Sequence, residues 1–146
     1  MANFVFRSLA IAAIVCATLL VNAQVATPPC ARNYTVQPGD FCDKISAQQN
    51  VSTFQLASVN SGKIDAACDN LTVGEVLCLG LVGEDCTNVH VVVAGDTCAS
   101  IALQAGISTA TVLANNPNVN ADCSNIGIDE VLCVAPAPIN STASAS

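Results

Sequence analysis

Basic side chains are scarce in this chain of 146 residues: Lys and Arg together number 4 against 11 Asp and Glu, a formal net charge of −7. Nucleic acid and anionic membranes reward clusters of Lys and Arg, so neither is expected as a partner. The acidity serves solubility. Histidine occurs once, at His90, and no Cys-x-x-Cys pair is present. A zinc site therefore lacks its ligand set, and no metal or cofactor is expected. Aromatic residues make up 3%. Beyond the first 23 residues only Tyr34, Phe41 and Phe54 remain, which excludes a binding face built mainly from stacked rings. No catalytic constellation is present either. His90 falls in a predicted strand, and its counterpart in the repeat described below is Tyr34, which cannot act as the same base. A glycosidase carboxylate pair needs a cleft that a module of this size has little room to form. The chain reads as a protein that is not an enzyme.

What is present begins with an export signal over residues 1–23. Arg7 precedes an apolar run from Leu9 to Val21, and Val21-Asn22-Ala23 supplies small residues before a cut ahead of Gln24. The run is short for a bilayer span, which needs about 20 apolar residues, so no membrane association is expected after cleavage. Removal of the segment takes away Cys16 and turns 9 cysteines into an even set: Cys30, Cys42, Cys68, Cys78, Cys86, Cys98, Cys123 and Cys133. In a secreted chain these read as a disulfide framework, four cysteines per module, with three pairings open within each module.

The framework is written twice. Cys30, Val36, Gly39, Asp40, Cys42, Ile45, Gln48, Ser52, Thr53 and Asn60 recur 56 positions later as Cys86, Val92, Gly95, Asp96, Cys98, Ile101, Gln104, Ser108, Thr109 and Asn116. After one residue is dropped, Cys68, Asn70, Glu75, Val76, Leu77 and Cys78 recur as Cys123, Asn125, Glu130, Val131, Leu132 and Cys133. A repeat in register decides for two small modules rather than one domain. Modules of about 50 residues sit at the lower edge of what an apolar core can hold, so the bridges are structurally required.

Each module reads as strand, helix, helix, strand. In the first, residues 33–37 alternate with β-branched side chains, Pro38-Gly39 makes a turn, and Asp40 stands where a helix N-cap is expected. A helix then runs to about residue 49, with Asn50 at the position held by Gly106 in the second copy; both tolerate a left-handed C-terminal cap. Ser52 caps a second helix ending at Asn60, and residues 73–79 form the second strand. The second copy predicts a strand over 88–93, helices over 96–105 and 108–115, and a strand over 128–134. The fold class is therefore α+β: two tandem small βααβ modules, each stapled by disulfides, with paired antiparallel strands and both helices on one face. The predicted boundaries are a short leader at 24–29, module one at 30–80, a linker at 81–85, module two at 86–135 and a disordered tail at 136–146. The glycines around the linker permit some swivel, and no hydrophobic tail for a lipid anchor follows. Asn-x-Ser/Thr sequons stand at Asn33, Asn50, Asn70 and Asn140, of which some are expected to be glycosylated.

Tyr34-Thr-Val-Gln-Pro-Gly-Asp-Phe-Cys42 and Val91-Val-Val-Ala-Gly-Asp-Thr-Cys98 resemble the opening of a LysM domain. The likeness continues through Gly106-Ile-Ser-Thr, Asn116-Pro-Asn-Val119 and Asn70-Leu-Thr-Val-Gly-Glu-Val-Leu-Cys78. With its export signal and four cysteines per module, the chain looks like the secreted fungal LysM effectors. The resemblance implies an extracellular protein, in solution or on the fungal wall, that binds chitin oligomers in a shallow groove between the loop after strand one and the loop after helix two. Carried over by position, that groove comprises Gly39, Asp40 and Phe41 with Asn60, Ser61, Gly62, Lys63 and Ile64 in module one. In module two it comprises Gly95, Asp96 and Thr97 with Asn116, Pro117, Asn118 and Val119. Backbone groups would meet the acetamido group and an Ile or Val its methyl. The pattern departs from the family at Phe41 in place of Thr, at Ser61-Gly62 in place of Pro-Asn, and at Asp129 in place of the Gly that Gly74 retains. Two sites imply either a joint grip on one oligomer or a dimer bridged by it. The alternatives are peptidoglycan as ligand, or a structural wall protein of the hydrophobin type, whose adjacent cysteine pairs are missing here.

Overall fold

The computed structural model describes residues 28–139 except 66; the predicted export signal, most of the leader, Asn140 and the rest of the tail lie outside the described residues. The element order is β1 (Cys30–Thr35), α1 (Cys42–Gln49), α2 (Thr53–Val59), β2 (Val76–Leu81), β3 (Val89–Val91), α3 (Cys98–Ala105), α4 (Thr109–Asn115) and β4 (Val131–Cys133). Strand β1 pairs antiparallel with β2, and β3 with β4, in two separate sheets. The chain is thus two tandem βααβ modules. A two-stranded sheet is marginal in water, so each one depends on the helices over its inner face. Val36, Ile45, Val51, Leu56, Ile64, Leu77 and Leu79 form the first core, and Val92, Ile101, Ala102, Val112, Val119 and Leu132 the second.

Local chemistry explains most helix ends. Ser52 and Ser108 accept from the amides of Gln55 and Thr111 at 3.1 and 3.0 Å, and cap α2 and α4. Asn50 and Gly106 close α1 and α3 with φ of 50° and 68°. The N-caps of α1 and α3 differ from expectation. They are Phe41 and Thr97, one residue after Asp40 and Asp96. Thr97 forms a reciprocal capping box with Ser100, whereas Phe41 has no side-chain bond to offer α1. The aspartates turn back toward the strand instead.

The bridges are Cys30–Cys78 and Cys42–Cys68 in the first module, and Cys86–Cys133 and Cys98–Cys123 in the second. Each joins the first cysteine of its module to the last and the second to the third, one of the three open pairings. The outer bridges span 48 and 47 residues and the inner ones 26 and 25. Loops of those lengths contribute about 3 to 4 kcal/mol each in the chain-entropy model.

A buried asparagine at the same place in each module joins helix to strand. Asn60 donates through Nδ2 to the carbonyls of Leu56 (2.7 Å) and Cys78 (2.6 Å), and its Oδ1 accepts from the Cys78 amide at 2.8 Å. Asn116 repeats this with Val112 and Cys133, all three bonds at 2.8 Å. Both side chains are buried and fully partnered. They weld the end of the second helix to the second strand.

The predicted swivel between modules is not what the structure holds. Gly80 and Leu81 extend β2 by pairing with Arg32 and Cys30, so the strand runs into the expected linker. Arg32 grips Asp85 with two bonds, at 2.6 and 2.9 Å, and also donates to the Gln49 carbonyl at 2.7 Å. Gln55 reaches the Leu79 carbonyl and Asp85 through Nε2 at 2.7 and 2.8 Å, and accepts from the Cys86 amide at 2.9 Å. A Cβ on Gly80 would overlap both the Asp85 carboxylate and the Gln55 amide. Thr53 completes the junction: it donates to Asp43 at 2.8 Å and accepts from the Val131 amide of β4 at 3.0 Å. Part of the expected disordered tail is held as well. Asn115 donates to the Ala135 carbonyl and accepts from the Ile139 amide at 2.7 Å, which brings Ile139 against Cys86, Cys133 and Ala135.

Replacing Asn116 by Ala is expected to cost about 2 to 4 kcal/mol, because a buried amide and two carbonyls lose their partner; chemical denaturation with the disulfides intact measures it. Gly80→Ala is expected to break the Asp85–Gln55 node, and faster cleavage between residues 80 and 86 in limited proteolysis reads this directly.

Candidate functional site

The turn after each first strand is built on one aspartate. Asp40 Oδ2 accepts from the Gln37 amide at 2.8 Å and from the Tyr34 hydroxyl at 2.7 Å. Asp96 Oδ2 accepts from the Val93 amide at 2.9 Å and lies 2.7 Å from His90 Nε2. The same carboxylate oxygen thus ties the turn to a ring six residues before it, phenol in one module and imidazole in the other. Lys44 adds a contact of 3.2 Å to Asp40 and donates to the Gly39 carbonyl at 3.1 Å. The turns need left-handed backbone at Gly39 (φ 80°) and Gly95 (φ 90°), a region glycine enters without strain.

The bonds set the ionisation of these carboxylates. The Gln37 amide and then the Tyr34 hydroxyl, with help from Lys44, hold the Asp40 carboxyl below the usual range. The His90 ring and then the Val93 amide do the same for Asp96. Tyr34 is pushed up in turn by its bond to Asp40.

The loop after each second helix is framed by an asparagine from further along. Asn70 Nδ2 donates to the Lys63 carbonyl at 2.8 Å while its Oδ1 accepts from the Asp65 amide at 3.1 Å. Asn125 does the same for Asn118 and Asn120, at 2.8 and 2.9 Å. Both loops are joined to the turn that opens the second strand. In module two, Asn118 donates to Glu130 Oε1 at 2.8 Å, the Glu130 carbonyl accepts from the Val92 amide, and Val93 follows with its bond to Asp96. In module one, Lys63 Nζ donates to the Val76 carbonyl at 2.9 Å, and the neighbouring Glu75 carbonyl accepts from Val36. Asp129 takes φ of 70° in that turn where Gly74 has 86°, so the departure from glycine keeps the same backbone.

The candidate residues divide by burial. Gly39, Phe41, Ser61, Gly62 and Lys63 are exposed, as are Gly95, Thr97, Pro117 and Asn118. Phe41 leaves 54% of its surface open. Asn60 and Asn116 do not face the groove: their side chains are the buried welds already described. Ile64 and Val119 are each 7% exposed and belong to the two cores, so neither presents an open side chain for a methyl group. Asp40 and Asp96 act beneath the turn rather than on its surface. Sequence reasoning gave no role to Tyr34, Asn70, Asn125 or Glu130 in shaping the loops. Their recurrence, or in the case of Tyr34 and His90 the shared capacity to bond a carboxylate six residues on, was the available sign. Among the described residues no group of three or more His, Cys, Asp or Glu is placed to hold a metal ion.

Two paired-strand, two-helix, double-cystine modules, each offering two exposed loops on a hydrogen-bonded frame, define a small tandem-repeat protein stapled by disulfides. Residues 34–80 and 90–135 match the LysM domain model, and the chain belongs to the LysM family. It is 35% identical over 80% of its length to the non-secreted LysM effector LCP1 of Gibberella moniliformis, and 36% identical over 70% to the secreted LysM effector Vd5LysM of Verticillium dahliae. It is also 30% identical over 72% of its length to the secreted LysM effector LysM1 of Trichophyton rubrum. The chain spans 15%, 14% and 50% of the lengths of those three relatives.

Carboxylates held below their ordinary value favour the folded state fully above the unfolded Asp value of about 4 and lose that contribution as pH falls through the lowered value. The melting temperature is therefore expected to hold from neutral pH down to that range and to drop below it. Asp96→Asn should flatten part of the drop in a pH series followed by circular dichroism.

Proposed function

We propose that the chain binds oligomers of N-acetylglucosamine, chitin above all, without turning them over. One loop pair in each module receives the ligand: Gly39 to Phe41 with Ser61 to Lys63, and Gly95 to Thr97 with Pro117 and Asn118. The observation that carries this reading is the recurrence of one hydrogen-bonded frame beneath both loop pairs in a chain of the LysM family. Two copies share Asp40 and Asp96 under the first loop and Asn70 and Asn125 under the second, while the exposed loop residues other than Gly39 and Gly95 vary. Such a frame presents backbone N–H and C=O groups in fixed directions, which suits the amide of an acetylated amino sugar. Preorganised loops also lose little freedom on binding.

The relatives named LysM effectors support a role outside the enzyme classes. The role we propose is to withhold chitin fragments from plant immune receptors, to shield hyphal walls from chitinases, or both. Four disulfides agree with an oxidising, extracellular setting. The junction at Thr53, Gln55 and Asp85 holds the two sites in one mutual orientation. An oligomer either reaches both sites in one chain or links two chains, and effective concentration raises affinity in each case.

Titration calorimetry with chitin oligomers is expected to give saturable heat. Asp40→Ala and Asp96→Ala should each weaken binding at their own module about tenfold, or about 1.4 kcal/mol. The absence of heat from a folded protein with any oligomer would overturn the reading. Retention on bacterial peptidoglycan but not on chitin beads would replace the ligand.

A further inference from the structure

The four sequons are not equivalent once the two modules are compared position by position. Asn50 occupies the left-handed cap of α1, where the second module has Gly106, so the backbone itself asks for a residue of this kind. Asn70 frames a loop through both atoms of its amide, and Asn125 does the same although no sequon is written there. Asn140 lies outside the described residues. Asn33 has no such explanation. It is exposed in β1, no hydrogen bond engages its side chain among the described residues, and its counterpart in β3 is Val89.

The surroundings of Asn33 give the contrast a meaning. Residues paired across a sheet project on the same face. In module two, Val89 pairs with Cys133 and Val91 with Val131. Module one packs on the β4 side of this sheet through α1 and α2, with Thr53 at the Val131 amide, while Val89 and Val91 on β3 are half-buried. Val131 is 0% exposed yet belongs to neither apolar core, and its amide donates to Thr53 of module one. In module one the same face is formed by Asn33 with Cys78 and Thr35 with Val76, and Val76 is 48% exposed. The positions of two half-buried valines in module two are thus held in module one by the two defining residues of a sequon, on a face whose Val76 no second module covers.

An intramolecular contact between unlike surfaces of a repeat leaves one copy of each surface free at the ends of the chain, and such head-to-tail contacts can propagate from molecule to molecule. Here the free surfaces are the outer face of β1 and β2, and the outside of α3 and α4, where Thr109 is exposed at the position of Thr53 although Ala99 and Thr111 replace the junction residues Asp43 and Gln55. We infer that Asn33 carries an N-linked glycan that covers the first of these and stops the propagation. The chemistry is that of the secretory pathway. A bond forms from Asn33 Nδ2 to C1 of the sugar, the C1–O bond to a lipid-linked diphosphate breaks, an amide proton is lost to the transferase base, and the lipid diphosphate leaves with the electron pair. A bulky polar group is an effective guard for an exposed sheet.

The test is secretion of the full chain from a eukaryotic host, with peptide mapping before and after enzymatic removal of N-glycans. Expected is a glycan on the peptide containing Asn33, lost in both Asn33→Gln and Thr35→Ala and kept in Thr35→Ser. The deglycosylated protein and Thr35→Ala should sediment as larger species as concentration rises, while the glycosylated protein stays monomeric without ligand. An unmodified Asn33 in the secreted, folded protein overturns the inference. A modified Asn33 whose removal leaves sedimentation unchanged overturns the covering role.

Discussion

Asn60 and Asn116 are the groups on which each module depends. A side-chain amide offers two donors and an acceptor, and here both donors reach carbonyls from different elements while the acceptor takes a strand amide. Leaving any of those backbone groups unpartnered in the interior would be costly, so helix and strand can meet only in this register. The loop that follows each asparagine begins from a fixed point. The inner disulfide, the framing asparagine and the aspartate under the opposite turn then define the remaining freedom. A core of seven or eight apolar residues per module could not hold two exposed loops this firmly by burial alone.

The two copies diverge where they meet. Gln55, which joins the strand end, Asp85 and Cys86, is Thr111 in the second copy, and Asp43, which orients Thr53, is Ala99. The same fold occurs twice, and the residues that differ between the copies at these positions are the ones that seat the junction. For the function proposed above, two loop pairs held at one angle would favour ligands or arrangements that match it, where a swivelling pair would accept many. Module two has the better-formed first loop, since Thr97 supplies the capping box that Phe41 cannot. Module one instead exposes an aromatic ring beside its turn.

Much of the fold was legible in the residues. The repeat, the βααβ order, Ser52 and Ser108 as caps, and Asn50 and Gly106 as left-handed stops all follow from patterns within a few positions. The loops of the candidate site were legible as stretches, but the burial of their members was not. An asparagine at a helix end followed by a loop reads as surface, and only the carbonyls of Cys78 and Cys133 turn it inward. Asp40 and Asp96 misled for a related reason: an aspartate before a helix normally caps forward, and the ring of Tyr34 or His90 together with the preceding amide drew it backward.

The chain taken alone therefore determined the duplicated order of its elements, the acidic and cystine-rich character, and the family to which it belongs, because periodicity, capping residues and register are local quantities. Tertiary structure decided which cysteines join, which polar residues are buried, and how one module sits on the other. Those outcomes rest on pairs such as Cys30 with Cys78, 48 residues apart, and Thr53 with Val131, 78 apart. Several partners of the same chemical type compete at such separations, and only the packed core selects among them.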